Sequence, residues 1–264
     1  MTILVTGAKG FIAKNLLAVL ERDEQNKLLK ADRSTSKDAL ASLLNEADVV
    51  VHLAGENRPA DPSAFKKVNT ELTAFILETL EKKNKPYKLL YSSSTQAAQD
   101  NEYGRSKKQA EELLQSGVKN GNAVIFRFPG VFGKWCKPNY NSVVATYCYN
   151  IANDLPIEVR DREYKFSLMY VDHVVSILIK HIKETSKDKV MSPMGRHIGP
   201  RRQEDIQWTR LWISVIKFLS LIENSFFGSR LAASIIQEGI GNSLIHARGL
   251  MQICLGISRD LLQD

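Results

Sequence analysis

The chain has 264 residues, of which 44% are hydrophobic and 25% charged, and a net charge of +7. That is the make-up of a globular domain large enough to bury a full core. The three cysteines, Cys136, Cys148 and Cys254, lack C-x-x-C spacing, so neither a disulfide framework nor a metal site is expected. No apolar run approaches the ~20 residues of a membrane span, and no cationic leader precedes the first strand. No Lys/Arg run is interleaved with aromatics. The expectation is a cytoplasmic protein that binds neither membrane nor nucleic acid, its basic balance being compatible with anionic substrates.

The first predicted strand, 2–6, carries the apolar run Ile3, Leu4 and Val5. Gly7, Gly10 and Ala13 follow at G-x-x-G-x-x-A spacing, and helical periodicity begins at Phe11. A glycine at 7 lets the strand turn sharply. A glycine at 10 lets backbone N–H groups and the helix N-terminus approach a pyrophosphate, and a small residue at 13 lets helix and strand pack closely. Gly7, Gly10, Phe11 and Ile12 are therefore the candidate phosphate-binding residues. Further strands are predicted at 27–31, 48–53, 88–92 and 123–128, with helices at 11–22, 38–46, 64–84 and 103–120. This alternation implies an α/β fold, a doubly wound parallel sheet with right-handed crossovers. Ligands of such sheets bind at the carboxyl ends of the strands, so those ends are where chemistry is sought.

After the second strand come Asp32 and Arg33. An acid there suits the ribose hydroxyls of NAD, and an arginine suits the extra phosphate of NADP. With Ser34, Thr35 and Ser36 adding donors, NADPH is the preferred expectation and NAD the lesser one. After the third strand, the small residues in Leu53, Ala54 and Gly55 let backbone lie against a flat ligand, while His52 reads as a packed strand residue. The fourth strand is expected to end at Tyr91, before Ser92, Ser93, Ser94 and Thr95. Tyr103 and Lys107 then form Y-x-x-x-K, a spacing that puts both on one helix face. A phenol is a poor acid–base group at pH 7 unless a neighbouring cation favours its ionised form. In this reading Ser94 polarises a carbonyl, Tyr103 exchanges its proton, and Lys107 lowers the phenol pKa and holds the nicotinamide ribose.

Glycine turn, Leu-Ala-Gly, Ser-Ser-Ser and Y-x-x-x-K in this order resemble the extended short-chain dehydrogenase/reductases, the epimerase/dehydratase group acting on nucleotide sugars. A closer likeness lies in Phe132 to Ser142, Phe-Gly-Lys-Trp-Cys-Lys-Pro-Asn-Tyr-Asn-Ser, with Ser93 to Ala97 and Gln99 to Asn101. Those stretches look like the reductases of capsular polysaccharide and O-antigen synthesis, and the likeness runs to about residue 180. It implies a Rossmann-type sheet with a small, mainly helical substrate region. The implied activity is NADPH-dependent reduction of the 4-keto group of a UDP-2-acetamido-2,6-dideoxy-hexulose. Tyr103 would be the proton donor, Lys107 its partner and Ser94 the carbonyl contact. Asn139 and Asn141 would be substrate contacts, the partner a UDP-sugar, and a homodimer would follow by analogy. Alternatives are an NAD(P)-dependent sugar-nucleotide epimerase, which needs the same three residues, and an inactive nucleotide-binding product of a disrupted gene. A 4,6-dehydratase fits less well, because Gln96 and Ala97 stand where such enzymes place an acidic pair.

The sequence departs from the pattern at three places. Gly130 stands where many relatives have Asn. Phe166 and Ser167 replace an Arg-Asp pair, leaving Arg160, Arg162 or Lys165 as substitutes for holding the diphosphate. The histidines of a C-terminal cupin domain do not occur. Composition also shifts near residue 190: 21 lysines and 7 arginines precede it, and 1 lysine and 7 arginines follow. The expected division is a dinucleotide-binding domain with part of the substrate pocket at 1–185 and an atypical tail at 186–264. That tail reads either as a helical cap or as a frame-shifted stretch.

Overall fold

The computed structural model describes residues 1–83, 85–153, 155–158 and 167–184. The tail expectation and the substitutes Arg160, Arg162 and Lys165 lie outside them. The chain divides into two units, each taken by itself: Met1–Pro129 with the described part of Asp172–Gly199, and the described part of Gly130–Val171.

The first unit is built on five strands, β1 (Thr2–Thr6), β2 (Lys27–Ala31), β3 (Val49–His52), β4 (Lys88–Ser94) and β5 (Asn122–Phe128). They form one parallel sheet in the order β2-β1-β3-β4-β5. The doubly wound expectation is met, and the order reverses between β1 and β3. Helices α1 (Phe11–Leu20), α2 (Lys37–Glu46) and α5 (Glu102–Gly117) connect successive strands. Between β3 and β4 the chain forms α3 (Ser63–Phe65), a π-helical stretch over Lys66–Glu71, and α4 (Leu72–Glu81).

The strands are apolar on both faces, as a parallel sheet covered on both sides requires. Leu4, Val50, Leu89 and Tyr91 join Leu40, Leu44, Ile76, Leu80, Ala110 and Leu114 of α2, α4 and α5 in one buried cluster. The alternating residues Ile3, Val5, Val49, Val51 and Leu90 are buried as well. Within α7 (Val171–Lys183), His181 meets the Phe126 ring edge-on at 5.0 Å. Burial of this apolar area, at about 25 cal/mol per Å², is what holds strands and helices together.

Most element ends shift by one to three residues, and one shift bears on the site. β4 does not stop at Tyr91 but continues through Ser92 and Ser93 to Ser94, paired residue for residue with Phe126, Arg127 and Phe128. Serine has little strand preference of its own, so it is the neighbouring strand that carries the triplet into the sheet.

The second unit has a short parallel pair, β6 (Gly130–Phe132) and β7 (Leu168–Tyr170), and α6 (Val143–Ala152), whose N-cap Ser142 accepts from Ala145 N–H. Gly130 has a local reason: a Cβ there would press on Leu168 Cδ2 at 3.1 Å.

Candidate active site

The glycine turn lies where the sheet order reverses. Gly7 takes φ +68°, and a Cβ on it would meet the Cα and N of Ala54 at 2.8 Å. Only glycine fits there, because the conformation is left-handed and the space is already filled by backbone. The Gly7 carbonyl accepts from Gly10 N–H at 2.8 Å, closing the turn. Gly10 is the N-cap of α1 and offers no side chain to the first-turn N–H groups, those of Phe11 and Ile12 among them. Those groups and the helix dipole favour an anion. Ala13 is buried, as close packing of helix on strand needs.

Thr6, at the end of β1, organises the neighbouring loop. Its hydroxyl lies 2.7 Å from His52 Nδ1 and accepts from Ala54 N–H at 3.3 Å. His52 Nε2 lies 3.0 Å from the Thr73 hydroxyl, which itself donates to the Asn69 carbonyl. This chain of donors assigns the proton to Nε2 of a neutral ring. Burial, followed by the Lys107 charge, pushes the imidazole down to about 3. The expectation that His52 is a packed strand residue is met.

At the β2 end, Asp32 accepts from Ser34 N–H and Oγ at 2.8 and 2.6 Å and pairs with Lys9 Nζ at 2.7 Å. Lys9, then Ser34, hold its carboxyl far below the usual carboxylate range. Arg33 Nη2 meets Glu56 Oε2 at 2.6 Å. The three hydroxyls considered as phosphate donors are engaged in the turn itself. Ser34 binds Asp32, Thr35 accepts from Asp32 N–H, and Ser36 caps α2. Arg33 and Lys9 are thus the cations present at this edge for a phosphate.

The last cluster is on α5. Asn101 caps the helix by accepting from Gly104 N–H at 2.7 Å, and Gly104 is pinned against the carbonyls of Gln96 and Gln99, where a Cβ would clash. Tyr103, Lys107 and Glu111 follow at four-residue spacing on one face, and they address three successive residues of β4. The Tyr103 phenol lies near the Ser94 side chain, which favours its ionised form. Lys107 Nζ donates to the Ser92 carbonyl at 2.9 Å and lies 4.9 Å from the Tyr91 ring centre. Glu111 accepts from the Ser93 hydroxyl and is gripped by Arg127, with Nε at 2.8 Å and Nη2 at 2.5 Å. Burial raises the Tyr103 phenol, and Ser94 partly offsets this. Burial lowers the Lys107 ammonium to about 8, and the Glu111 charge holds it up against that.

The structure therefore brings Ser94, Tyr103 and Lys107 together, and sets Leu53 and Ala54 against the glycine turn and Gly55 against Lys107. A Cβ on Gly55 would touch Lys107 Nζ at 3.1 Å and Asn69 Oδ1 at 3.2 Å. Asn139 and Asn141 belong to the second unit; Asn139 takes φ +54° and its N–H donates to Thr146 Oγ1. Three residues escaped the sequence reading: Asn69, Glu111 and Arg127. Asn69 is fully buried inside the π-helical stretch. Its amide accepts from Glu56 N–H and donates to the Glu56 carbonyl, both at 2.8 Å, and also donates to Ser106 Oγ at 2.9 Å. For Glu111 the signal was present, as the third member of the Tyr103, Lys107 series.

The glycine turn, the uncapped start of α1 and the acid and base after β2 fit the parts of a nicotinamide dinucleotide, with Gly7, Gly10, Phe11 and Ile12 the residues that would meet the pyrophosphate and Asp32 and Arg33 those that would meet the adenosine ribose. Among the described residues no group of three or more acidic, histidine or cysteine side chains could hold a metal ion. No described helix is long and apolar enough to cross a membrane.

Comparison with known proteins agrees with this layout. The model of the NAD dependent epimerase/dehydratase family matches residues 3–192. A Pseudomonas aeruginosa protein named UDP-2-acetamido-2,6-beta-L-arabino-hexul-4-ose reductase is 46% identical over 182 residues, covering 68% of this chain and 49% of that protein. The capsular polysaccharide assembling protein CapF from Staphylococcus aureus superposes with a TM-score of 0.62 at 42% identity, over 70% of this chain and 50% of CapF. A UDP-glucuronic acid 4-epimerase from Bacillus cereus, in complex with UDP-glucuronic acid and NAD, shares the fold with a TM-score of 0.63 at 20% identity, over 70% of this chain and 74% of that one. The chain spans about half the length of the first two relatives.

Proposed function

The chain belongs to the NAD dependent epimerase/dehydratase family, and from that premise we propose that it reduces the 4-keto group of a UDP-2-acetamido-2,6-dideoxy-hexulose with NADPH. The observation that carries the reading is the α5 face, with Tyr103 near Ser94 and Lys107, four residues on, bonded to the Ser92 carbonyl. The name of the 46% identical relative supports the choice of substrate.

The residues have a division of labour. Gly7, Gly10, Phe11 and Ile12 would hold the pyrophosphate, Asp32 and Arg33 the adenosine ribose, and Leu53 to Gly55 with Lys107 the nicotinamide side. When bound, NADPH supplies the hydride that the C4 carbonyl carbon needs. Ser94 donates to the carbonyl oxygen and polarises it. Burial keeps the Tyr103 phenol protonated at pH 7, so it starts with the proton that the C4 oxygen must receive. The phenolate left behind would be stabilised by the Lys107 ammonium, four residues on along the same helix face. Lys107, at about 8, is still mostly cationic at pH 7. Asn139 and Asn141 are the candidate contacts to the sugar nucleotide.

Ser94, Tyr103 and Lys107 would equally serve an epimerase that oxidises and re-reduces C4. Gln96 and Ala97 lack the acid–base groups that a dehydratase needs after Thr95. The test is to mix the full chain with NADPH and the UDP-linked 4-keto sugar and follow loss of reduced nicotinamide. Stoichiometric oxidation with formation of the 4-hydroxy sugar is expected. Interconversion of 4-hydroxy epimers without net NADPH consumption would replace the reading by epimerisation.

A further inference from the structure

Four charges at the carboxyl ends of β1, β2 and β3 form two pairs. Lys9 holds Asp32, and Arg33 holds Glu56. The edge that would receive the adenosine ribose is thus close to neutral, although it contains two cations. A 2′-phosphate brings negative charge and needs a cation that can leave its present partner. The Arg33 side chain is 87% exposed and long, whereas that of Glu56 is 12% exposed. The Glu56 backbone is fixed on both sides by the buried Asn69 amide, at 2.8 Å from its N–H and 2.8 Å to its carbonyl. Asn69 is in turn tied to Ser106 Oγ, and Ser106 to the Tyr103 carbonyl at 2.8 Å. Glu56 therefore keeps its place while the guanidinium can swing between carboxylate and phosphate.

We propose that Glu56 is a specificity-determining residue for the cofactor: its carboxylate occupies Arg33 and competes with the 2′-phosphate of NADPH, lowering the preference for NADPH over NADH. The proposal rests on the reading of the glycine turn as a dinucleotide site. The pair is open to solvent on its Arg33 side, so the competition tunes affinity and does not abolish it. NADH has no 2′-phosphate and meets Asp32 instead, so it is indifferent to whether Arg33 is free.

The experiment is a nucleotide-fluorescence titration of the full chain with NADPH and with NADH. Glu56→Gln keeps the backbone bonds to Asn69 and removes the charge. It is expected to bind NADPH about three- to fivefold more tightly, with NADH changed less than about twofold. In an Arg33→Ala background the same Glu56→Gln change is expected to have no effect on NADPH, because the competition acts through the guanidinium. Equal shifts for both nucleotides, unchanged NADPH affinity, or a Glu56→Gln effect that survives loss of Arg33 would each overturn the proposal. These are binding measurements, so they stand whether or not the keto sugar is turned over.

Discussion

The two halves of the site are built in different ways. At the β1, β2 and β3 ends the work is done by backbone and by exposed charge: Gly7 and Gly10 clear space, the start of α1 presents N–H groups, and Lys9 and Arg33 carry exposed cations. At the β4 end it is done by buried side chains, with Lys107 and Glu111 inside the fold and tied to Ser92, Ser93 and Arg127. The first half rests on backbone and exposed charge, so it can be tuned without harm to the fold. The second is part of the core, so chemistry and stability are joined there.

That contrast can be broken most forcefully at Glu111. Removing its carboxylate by Glu111→Ala leaves Arg127 without a partner and Ser93 without its acceptor. Loss of one member of a buried pair costs about 3–5 kcal/mol, against roughly nothing for an exposed one. Denaturant unfolding of the variant is expected to show a loss of that size, while Arg33→Ala is expected to leave the midpoint nearly unchanged. Equal effects at the two positions would erase the distinction.

Lys107 sharpens it further. Its fall from 10.5 to about 8 amounts to about 3 kcal/mol against the charged form. Lys107→Met removes that penalty and also the bond to the Ser92 carbonyl, worth about 1 kcal/mol. The variant should be inactive yet more stable by about 2 kcal/mol at pH 7. The sign with pH follows from linkage. The folded protein binds the Lys107 proton less readily than the unfolded chain, so the penalty is complete below about pH 8 and fades as pH rises towards 10.5. The advantage of methionine should shrink over that window. An advantage that is absent at pH 7, or independent of pH, would contradict the buried cation.

Much of the first half was legible in the sequence, because its signals are local. Short apolar strands, glycine spacing and an acid–base pair after β2 can be read without knowing what packs where. In the second half Ser94, Tyr103 and Lys107 were legible, the last two as a spaced pair. Glu111 and Arg127 look like surface charges until α5 is laid over β4 and β5, and Asn69 looks like a loop or helix polar residue until the π-helical stretch turns it inward. The run of β4 through Ser93 and Ser94 was not legible, because their strand character comes from pairing with Arg127 and Phe128. The Arg33 reading was incomplete: its partner Glu56, 23 positions on, is a tertiary contact. The 4-keto-reductase reading adds the resemblance to these residues, and its most exacting demand falls on one hydroxyl.

That hydroxyl is on Tyr103. The most direct measurement compares wild type and Tyr103→Phe for turnover of the UDP-linked 4-keto sugar with NADPH and, in the same preparations, for NADPH affinity. The account predicts that turnover falls by about 10²–10⁴-fold, the scale of a lost general acid, while NADPH affinity stays within a few-fold. Turnover equal to wild type would contradict it, since the proton would then come from elsewhere.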